Sequence, residues 1–414
     1  MKRKLLIFLI IISMINIVSV QAEPDVASPS AILIDYKTGK VLYERNADTT
    51  MYPASTTKVM TGILALEHGK LDDIVTVGIN PSTKIERGSS QIYLIPDERL
   101  TFEQLVYALM LESANDAAIA IAEHISGSVE EFCELMNRKA KELGAVDTNF
   151  LNPNGLHNDN HYSTARDLAL IARYAMNNDT FRKVVSTYQY SIPATNKQEE
   201  RPYIRNSNKL IWNYAKNSCY YEYATGIKTG YTVKSKHCLV ASAKKDGMEL
   251  IAVVLGTEKD YLYKDVVNMF EYGFSNFTSM GIVEKHQVIT TITVDGTDKK
   301  INLLANDDFS MVLSNDEKDK ITSRITVEEK IVSPVIHGQV LGKIEFFIKD
   351  KVIKSINLVS QESYQKPTVT KTIKETFSWK WIIGAAAAFL LFRALVTIMK
   401  LRKKRLKKSV YIKR

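Results

Sequence analysis

The chain has 414 residues, 45% of them hydrophobic and 24% charged, with 18 glycines and 10 prolines. That balance excludes a disordered or low-complexity chain and leaves ample length for a core. The formal net charge is +9, but nine Lys/Arg and no acid fall in residues 400–414 and three basic residues open the chain, so residues 23–399 carry −3. The basic excess belongs to the ends, which argues for a membrane surface and against nucleic acid. Three cysteines, Cys133, Cys219 and Cys238, permit one bridge at most, and free, partly buried thiols are expected.

The first segment, "MKRKLLIFLIIISMINIVSVQA", joins Lys2, Arg3 and Lys4 to an apolar run from Leu5 to Val18 and a small-residue end at Ala22. It reads as a signal peptide over residues 1–22. "AILIDY" and "KVLYE" alternate around Lys37-Thr38-Gly39, which predicts a hairpin with Gly39 in its turn. A helix is predicted from Ser55 through "TTKVMTGILALEHG", ending at Gly69. Another starts at Thr101, where Thr101 and Gln104 form a capping box. "NDAAIAIAEHI" predicts a helix buried nearly all round, and "STARDLALIARYAM" one capped by Ser163 or Thr164. "GIKTGYT" and "CLVASAKKDGMELIAVVLG" predict three strands, the last two turning at Asp246-Gly247. Residues 23–280 thus read as one mixed α/β unit.

From about Val283 the texture changes to short alternating runs: "QVITTITV", "KINLLA", "SMVLS", "KIVSPVI", "KIEFFIK" and "VIKSINLV". They predict an all-β module over residues 281–363, followed by a polar linker at 364–380. Trp381 to Met399 is long enough to cross a bilayer as a helix, with only Arg393 interrupting it and close enough to the basic end to snorkel. The basic tail, 400–414, would lie on the cytoplasmic side and everything from Glu23 to about Lys380 outside.

Three short motifs bear on chemistry. Ser55 and Lys58 in "YPASTTKVMT" lie at i and i+3, so at the head of a helix they share a face. A buried lysine near a second cation would be neutral and could take the serine proton, activating the hydroxyl as a nucleophile. Ser113 and Asn115 in "LESANDAA" sit between helices and could relay a proton and hold a substrate amide. Lys228-Thr229-Gly230 heads a predicted edge strand, where an extended peptide can pair and a terminal carboxylate can be held. Each motif alone is weak. Their order is not: Ser-x-x-Lys, Ser-x-Asn about 55 residues on, and Lys-Thr-Gly a little over 100 further form a recognised catalytic set. The earlier Lys37-Thr38-Gly39 precedes the serine and is explained by its hairpin.

With these motifs the chain resembles the low-molecular-weight penicillin-binding proteins, serine-type D-alanyl-D-alanine carboxypeptidases. The segments "ASPSAILIDYKTGKVLYERNADTTMYPASTTKVMT" and "ESANDAAIAIAEHISGSVEEFCELMNRKAKELGAVDTNFLNPNGL", with "GIKTGYT" and "PVIHGQVLGKIEFFIKDKVIKSINLV", carry the likeness. The resemblance implies a penicillin-binding-protein/β-lactamase-like α/β (α+β) catalytic domain, a small all-β domain and a C-terminal transmembrane helix. It implies removal of the terminal D-alanine from peptidoglycan stem pentapeptides through an acyl-serine, without a cofactor, with β-lactams as covalent inhibitors. By position Ser55 becomes the nucleophile, Lys58 its base, Ser113 and Asn115 the second element, and Lys228, Thr229 and Gly230 the substrate clamp. The amides of Ser55 and Tyr231 become the oxyanion hole. "IPDERLT" and the basic "GYTVKSKHC", with Lys234, Lys236 and His237, depart from the usual pattern without touching these positions.

Rival readings are weaker. A class A β-lactamase would need a deacylating glutamate, and "LNPNGLHNDNHYST" offers no Glu-x-x-Leu-Asn. His157, Asp159 and His161 alternate as metal ligands could, but in an asparagine-rich loop they read as polar loop residues. D,D-endopeptidase action on cross-links shares all the chemistry, and a non-catalytic wall anchor would not need the complete motif set.

Overall fold

The computed structural model describes residues 23–86, 88–315, 317, 320–348, 350–367 and 379–410, with side chains as far as Lys403. The expected signal peptide, most of the expected linker and the last four residues of the tail lie outside the described residues.

The catalytic part is built on a five-stranded antiparallel sheet of order β2-β1-β9-β8-β7. Its strands are β1 (Ser30–Asp35), β2 (Val41–Arg45), β7 (Ala224–Thr232), β8 (Lys236–Lys245) and β9 (Met248–Thr257). The hairpin at Lys37-Thr38-Gly39 forms as expected: Gly39 has φ +74°, and the Asp35 carboxylate accepts from the Thr38 amide at 2.7 Å. Asp246 and Gly247 both take positive φ, the pairing a tight hairpin requires.

All six β1 residues are buried because both faces of the sheet are covered. Ile32 and Ile34 face one cluster, with Val240, Val253 and most of the helices. Ala31 and Leu33 face a second, against a helix the sequence reading missed. Alternation along the strand delivers one set of side chains to each layer.

The first helical layer holds α1 (Lys58–His68), α2 (Phe102–Tyr107), α3 (Asn115–Ser126), α4 (Val129–Glu142), α5 (Ala165–Ala175) and α6 (Asp179–Ser186). The capping box at Thr101/Gln104 is present with both bonds, and Thr164, not Ser163, caps α5. Gly69 ends α1 with an extended backbone. It is needed for space: a Cβ there would lie 2.3 Å from the Phe102 ring. The missed α7 (Leu262–Asn276) lies on the other face, burying Leu262, Val266, Met269 and Phe270. At Gly273 a Cβ would meet Leu250 at 2.6 Å, so the helix rides close on the sheet. Short ribbons β3 (Ile74–Thr76) with β4 (Arg99–Thr101), and β5 (Gln189–Ile192) with β6 (Arg201–Arg205), complete the unit.

β10 (Phe277–Val283) crosses the expected boundary at 280 and pairs with β13 (Phe309–Ser314). Beyond it a five-stranded sheet runs β11-β12-β16-β15-β14, from β11 (Val288–Thr293), β12 (Lys300–Ala305), β14 (Ile321–Val327), β15 (Val340–Ile348) and β16 (Lys351–Ser360). Two details correct the sequence reading. "KIVSPVI" is not a strand but an irregular segment with one bridge from Val335 to Tyr364, whereas "ITSRITV" is the edge strand β14. Ile331 and Val335 enter the domain core, so the alternation was real burial without a ladder. Finally α8 (Trp379–Val410) continues as one helix past the expected end at Met399. Residues Lys380–Lys403 of it are long and apolar enough to cross a membrane.

Candidate active site

Ser55 does not begin the α-helix. It sits in a 3₁₀ turn, Ala54–Thr57, that runs into α1 at Lys58. In 3₁₀ geometry residues three apart eclipse, which stacks Ser55 and Lys58 on one side. The Lys58 Nζ is 3.0 Å from Ser55 Oγ, 2.7 Å from Asn115 Oδ1 and 2.5 Å from the Asn154 carbonyl oxygen. Lys58 is fully buried, and burial above all, then the nearby charge of Lys228, holds its pKa well below 10.5 against a partial pull from Asp116. As a neutral amine it has two N–H bonds for Asn115 and Asn154 and one lone pair facing the Ser55 hydroxyl.

The backbone around the pair is strained. Ala54 has φ +48° and Ser113 φ +63°, both left-handed conformations unfavourable for a side chain. Ser113 ends a widened turn, Ala108–Glu112, with i→i+5 bonding that extends α2. Its hydroxyl lines the cleft and makes no hydrogen bond among the described residues. Asn115 is the first residue of α3 and is held in place because Asp116, fully buried, accepts from the amides of Ile92, Leu94 and Ala117.

Lys228 also has no exposed surface, and among the described residues no carboxylate lies within ion-pair distance of it. Burial lowers its pKa to about 7, with Glu112 opposing the shift. Its ammonium lies 3.3 Å from Ser207 Oγ, which in turn is 2.6 Å from Thr229 Oγ1. The two hydroxyls line the cleft, so the charge stands behind them. Gly230 brings the edge strand against the Ser55 turn: a Cβ there would be 3.0 Å from both Pro53 O and Ser55 N. Ser55, Ser113, Asn115, Asn154, Thr229 and Tyr231 share one cavity of about 470 Å³.

The two triplets separate cleanly, since Lys37 is exposed in its hairpin while Lys228 is inside. Several contributors escaped the sequence reading. Asn154 supplies a carbonyl to Lys58, and Gly155, with φ +82°, presses so close that a Cβ would be 1.9 Å from Ala54 O. Ser207 is a third. Asn-Pro-Asn-Gly announces a turn, but nothing in it says which group the turn touches. His161 is fully used inside the fold: its Nδ1 accepts from the Leu151 amide and its Nε2 lies 2.9 Å from Thr57 Oγ1. Burial pushes its pKa down to about 4, so it is a neutral brace behind the Ser55 turn. The departures at the rim are also structural. Glu98 of "IPDERLT" is buried and paired with Arg201 at 2.8 Å, Lys236 pairs with Glu258 at 2.6 Å, and the His237 ring lies tilted against Tyr231 with centroids 4.5 Å apart. The three cysteines are free, and Cys133 and Cys238 are buried with their thiols pushed up to about 12.

A serine hydroxyl bonded to a charge-starved lysine, beside an edge strand with a second buried lysine, defines a serine acyl-enzyme of the penicillin-binding class. Comparison with known proteins narrows this. The D-alanyl-D-alanine carboxypeptidase family matches residues 17–259 and the C-terminal domain of penicillin-binding protein 5 matches residues 277–366; the chain belongs to this carboxypeptidase family. It is 34% identical over 356 residues to the D-alanyl-D-alanine carboxypeptidase DacF of Bacillus subtilis, covering 84% of this chain and 88% of that one. The crystal structure of penicillin-binding protein 5 from Haemophilus influenzae superposes with a TM-score of 0.69 at 30% identity, over 83% of this chain and 99% of that one. A Streptomyces DD-transpeptidase superposes at 0.57 and 34% identity over 61% of this chain and 99% of that one.

Proposed function

We propose that the protein removes the terminal D-alanine of peptidoglycan stem peptides, with Ser55 as nucleophile and Lys58 as its base. The observation that carries this reading is the three-way contact of the Lys58 amine. Two acceptors fix its N–H bonds, and the third direction is the Ser55 hydroxyl. Lys58 takes the Ser55 proton as Oγ attacks the carbonyl between the last two alanines. The oxyanion forms against the amides of Ser55 and Tyr231. The proton on Lys58 passes by way of the Ser113 hydroxyl to the leaving amine, which restores the neutral Lys58 amine; Asn115 orients the stem amide, and the freed D-alanine departs. Water then cleaves the acyl-serine with Lys58 again acting as base. The terminal carboxylate sits against the hydroxyls of Thr229 and Ser207, with Lys228 supplying the charge and Gly230 the clearance.

Residues 1–22 act as an export signal, residues 23–280 as the catalytic domain, and 281–363 as a spacer joined by the 364–380 linker to the anchor. Residues 381–399 span the membrane with the catalytic domain outside and the tail at 400–414 in the cytoplasm. A β-lactam offers the same carbonyl and carboxylate, but its opened ring stays tethered and obstructs water, so the acyl-enzyme persists. A fluorescent penicillin labels the protein one to one and stays bound, labels Lys58→Ala very slowly, and does not label Ser55→Ala. Undiminished labelling of Ser55→Ala would sink the assignment.

A further inference from the structure

The β domain has two poles. At one, β13 reaches the catalytic domain: Val312 is buried in the cluster beneath α7, and its carbonyl accepts from Lys40 Nζ at 2.9 Å. The chain leaves at the other. There Tyr364 and Val335 exchange both main-chain bonds, the Lys366 amide donates to Ser333 Oγ at 2.6 Å, and its ammonium donates to Gly296 O at 2.9 Å. This exit pole is built largely by residues 331–336, "IVSPVI". Ile331 and Val335 are 5% and 2% exposed and enter the core, while Val332 and Ile336 are 65% and 64% exposed, with Pro334 exposed between them. Ile336 heads a turn closed by the Gln339 amide at 3.0 Å, so the apolar tip is braced.

We propose that this pole dips into the outer surface of the bilayer that α8 crosses, so that the β domain stands on lipid and is not merely tethered above it. The inference rests on reading α8 as the membrane anchor. The occupant follows from where the chain goes: the segment from Pro367 to Trp379 spans at most about 40 Å when fully extended, which keeps pole and anchor within reach of one surface. Rigid, exposed aliphatics at that point suit the headgroup boundary, where apolar side chains are buried without crossing. Near the exit, Lys299 pairs with Glu362 at 2.9 Å and the Lys366 ammonium donates to Gly296 O at 2.9 Å. Glu328, Glu329 and Lys330 precede the tip with a net charge of −1. Attachment therefore depends on apolar insertion and not on anionic lipid.

The test uses the full chain in phosphatidylcholine vesicles, with Cys219→Ser leaving only the two buried cysteines. A lipid-sensitive fluorophore is attached in turn at Ile336→Cys, at Thr322→Cys on the exposed edge strand β14, and at Ile398→Cys on α8. Nitroxide-bearing lipids should quench the probe at 336 at least about threefold more than that at 322, while 398 reports membrane insertion of the anchor. Quenching at 398 with equal, weak quenching at 336 and 322 overturns the docked pole and leaves the anchor standing. Weak quenching at all three overturns both. A shielded but unquenched probe at 336 would mean that a second copy of the chain covers the tip, and also overturns the proposal.

Discussion

Lys228→Met should make the protein more stable and nearly inactive, and the stability gain should shrink as pH rises. A lysine with a pKa of 10.5 in the unfolded chain and about 7 in the fold carries a burial cost of ~5 kcal/mol when charged in both states. Between about pH 7 and 10.5 the unfolded chain binds a proton that the folded chain does not, so wild-type stability climbs with pH through that window and the cost is complete only below it. Methionine keeps the length, titrates nowhere and loses only the contacts to Ser207 Oγ and the Thr229 carbonyl, a pH-independent debit. The stability difference between variant and wild type should therefore fall by roughly 2–3 kcal/mol from pH 6 to pH 9. Urea unfolding of the detergent-solubilised chain at the two pH values measures it, and D-alanine release should drop roughly 10²-fold or more for want of the charge-assisted contact. A difference that stays flat from pH 6 to 9 would refute the reasoning, because Lys228 would then not be the buried, titrating group described above.

Lys37→Ala, in an exposed hairpin, should leave D-alanine release within a few-fold of wild type, whereas Lys228→Ala should lose roughly 10² or more; equal losses would reject the assignment of the two triplets. Gly155→Ala places a methyl group into the Ala54 carbonyl and forces a side chain into left-handed backbone, so penicillin acylation should slow by about 10² or more in a protein that still folds. Unchanged labelling kinetics would show that the Gly155 contact does not position Ser55. Glu112→Gln removes the carboxylate that raises the Lys228 pKa, so the alkaline limb of kcat/KM should move to lower pH. A limb that does not move would show that another group controls it.

What the sequence disclosed was whatever local chemistry enforces. Thr101 and Gln104 satisfy orphan amides wherever they occur together, and β1, β8 and β9 alternate because each must feed two cores. The three motifs were legible for the same reason, since each is a short run whose side chains share one turn or strand. Ser207 was not. It reaches Thr229 from 22 residues away, and only the packing of the loop before Lys209 against β7 decides that it lies there. Helix α7 was hidden by Tyr263, Val267, Tyr272 and Phe274, apolar residues between its core positions that blur a 3.6-residue period and raise strand propensity. In "KIVSPVI" the reverse occurred: true alternation of burial came without a ladder, because Pro334 has no amide to give one.

The two buried lysines also imply how substrate recognition reaches the chemistry. The charge on Lys228 is one of the forces keeping Lys58 neutral, second to burial. A substrate carboxylate at the Thr229 and Ser207 hydroxyls brings a negative charge beside Lys228 and cancels part of the field at Lys58. The Lys58 pKa must then rise on binding, making the amine a stronger base at the moment Ser55 needs one. If Lys58 is the base proposed above, it works only when unprotonated, so activity should fall at low pH through its pKa, with the acid limb at higher pH in kcat, which reports the complex, than in kcat/KM, which reports the free enzyme. A stem peptide ending in a carboxamide brings no charge and should show the two acid limbs superimposed. If the limbs separate equally for carboxylate and carboxamide substrates, the shift on binding comes from lost water and not from Lys228.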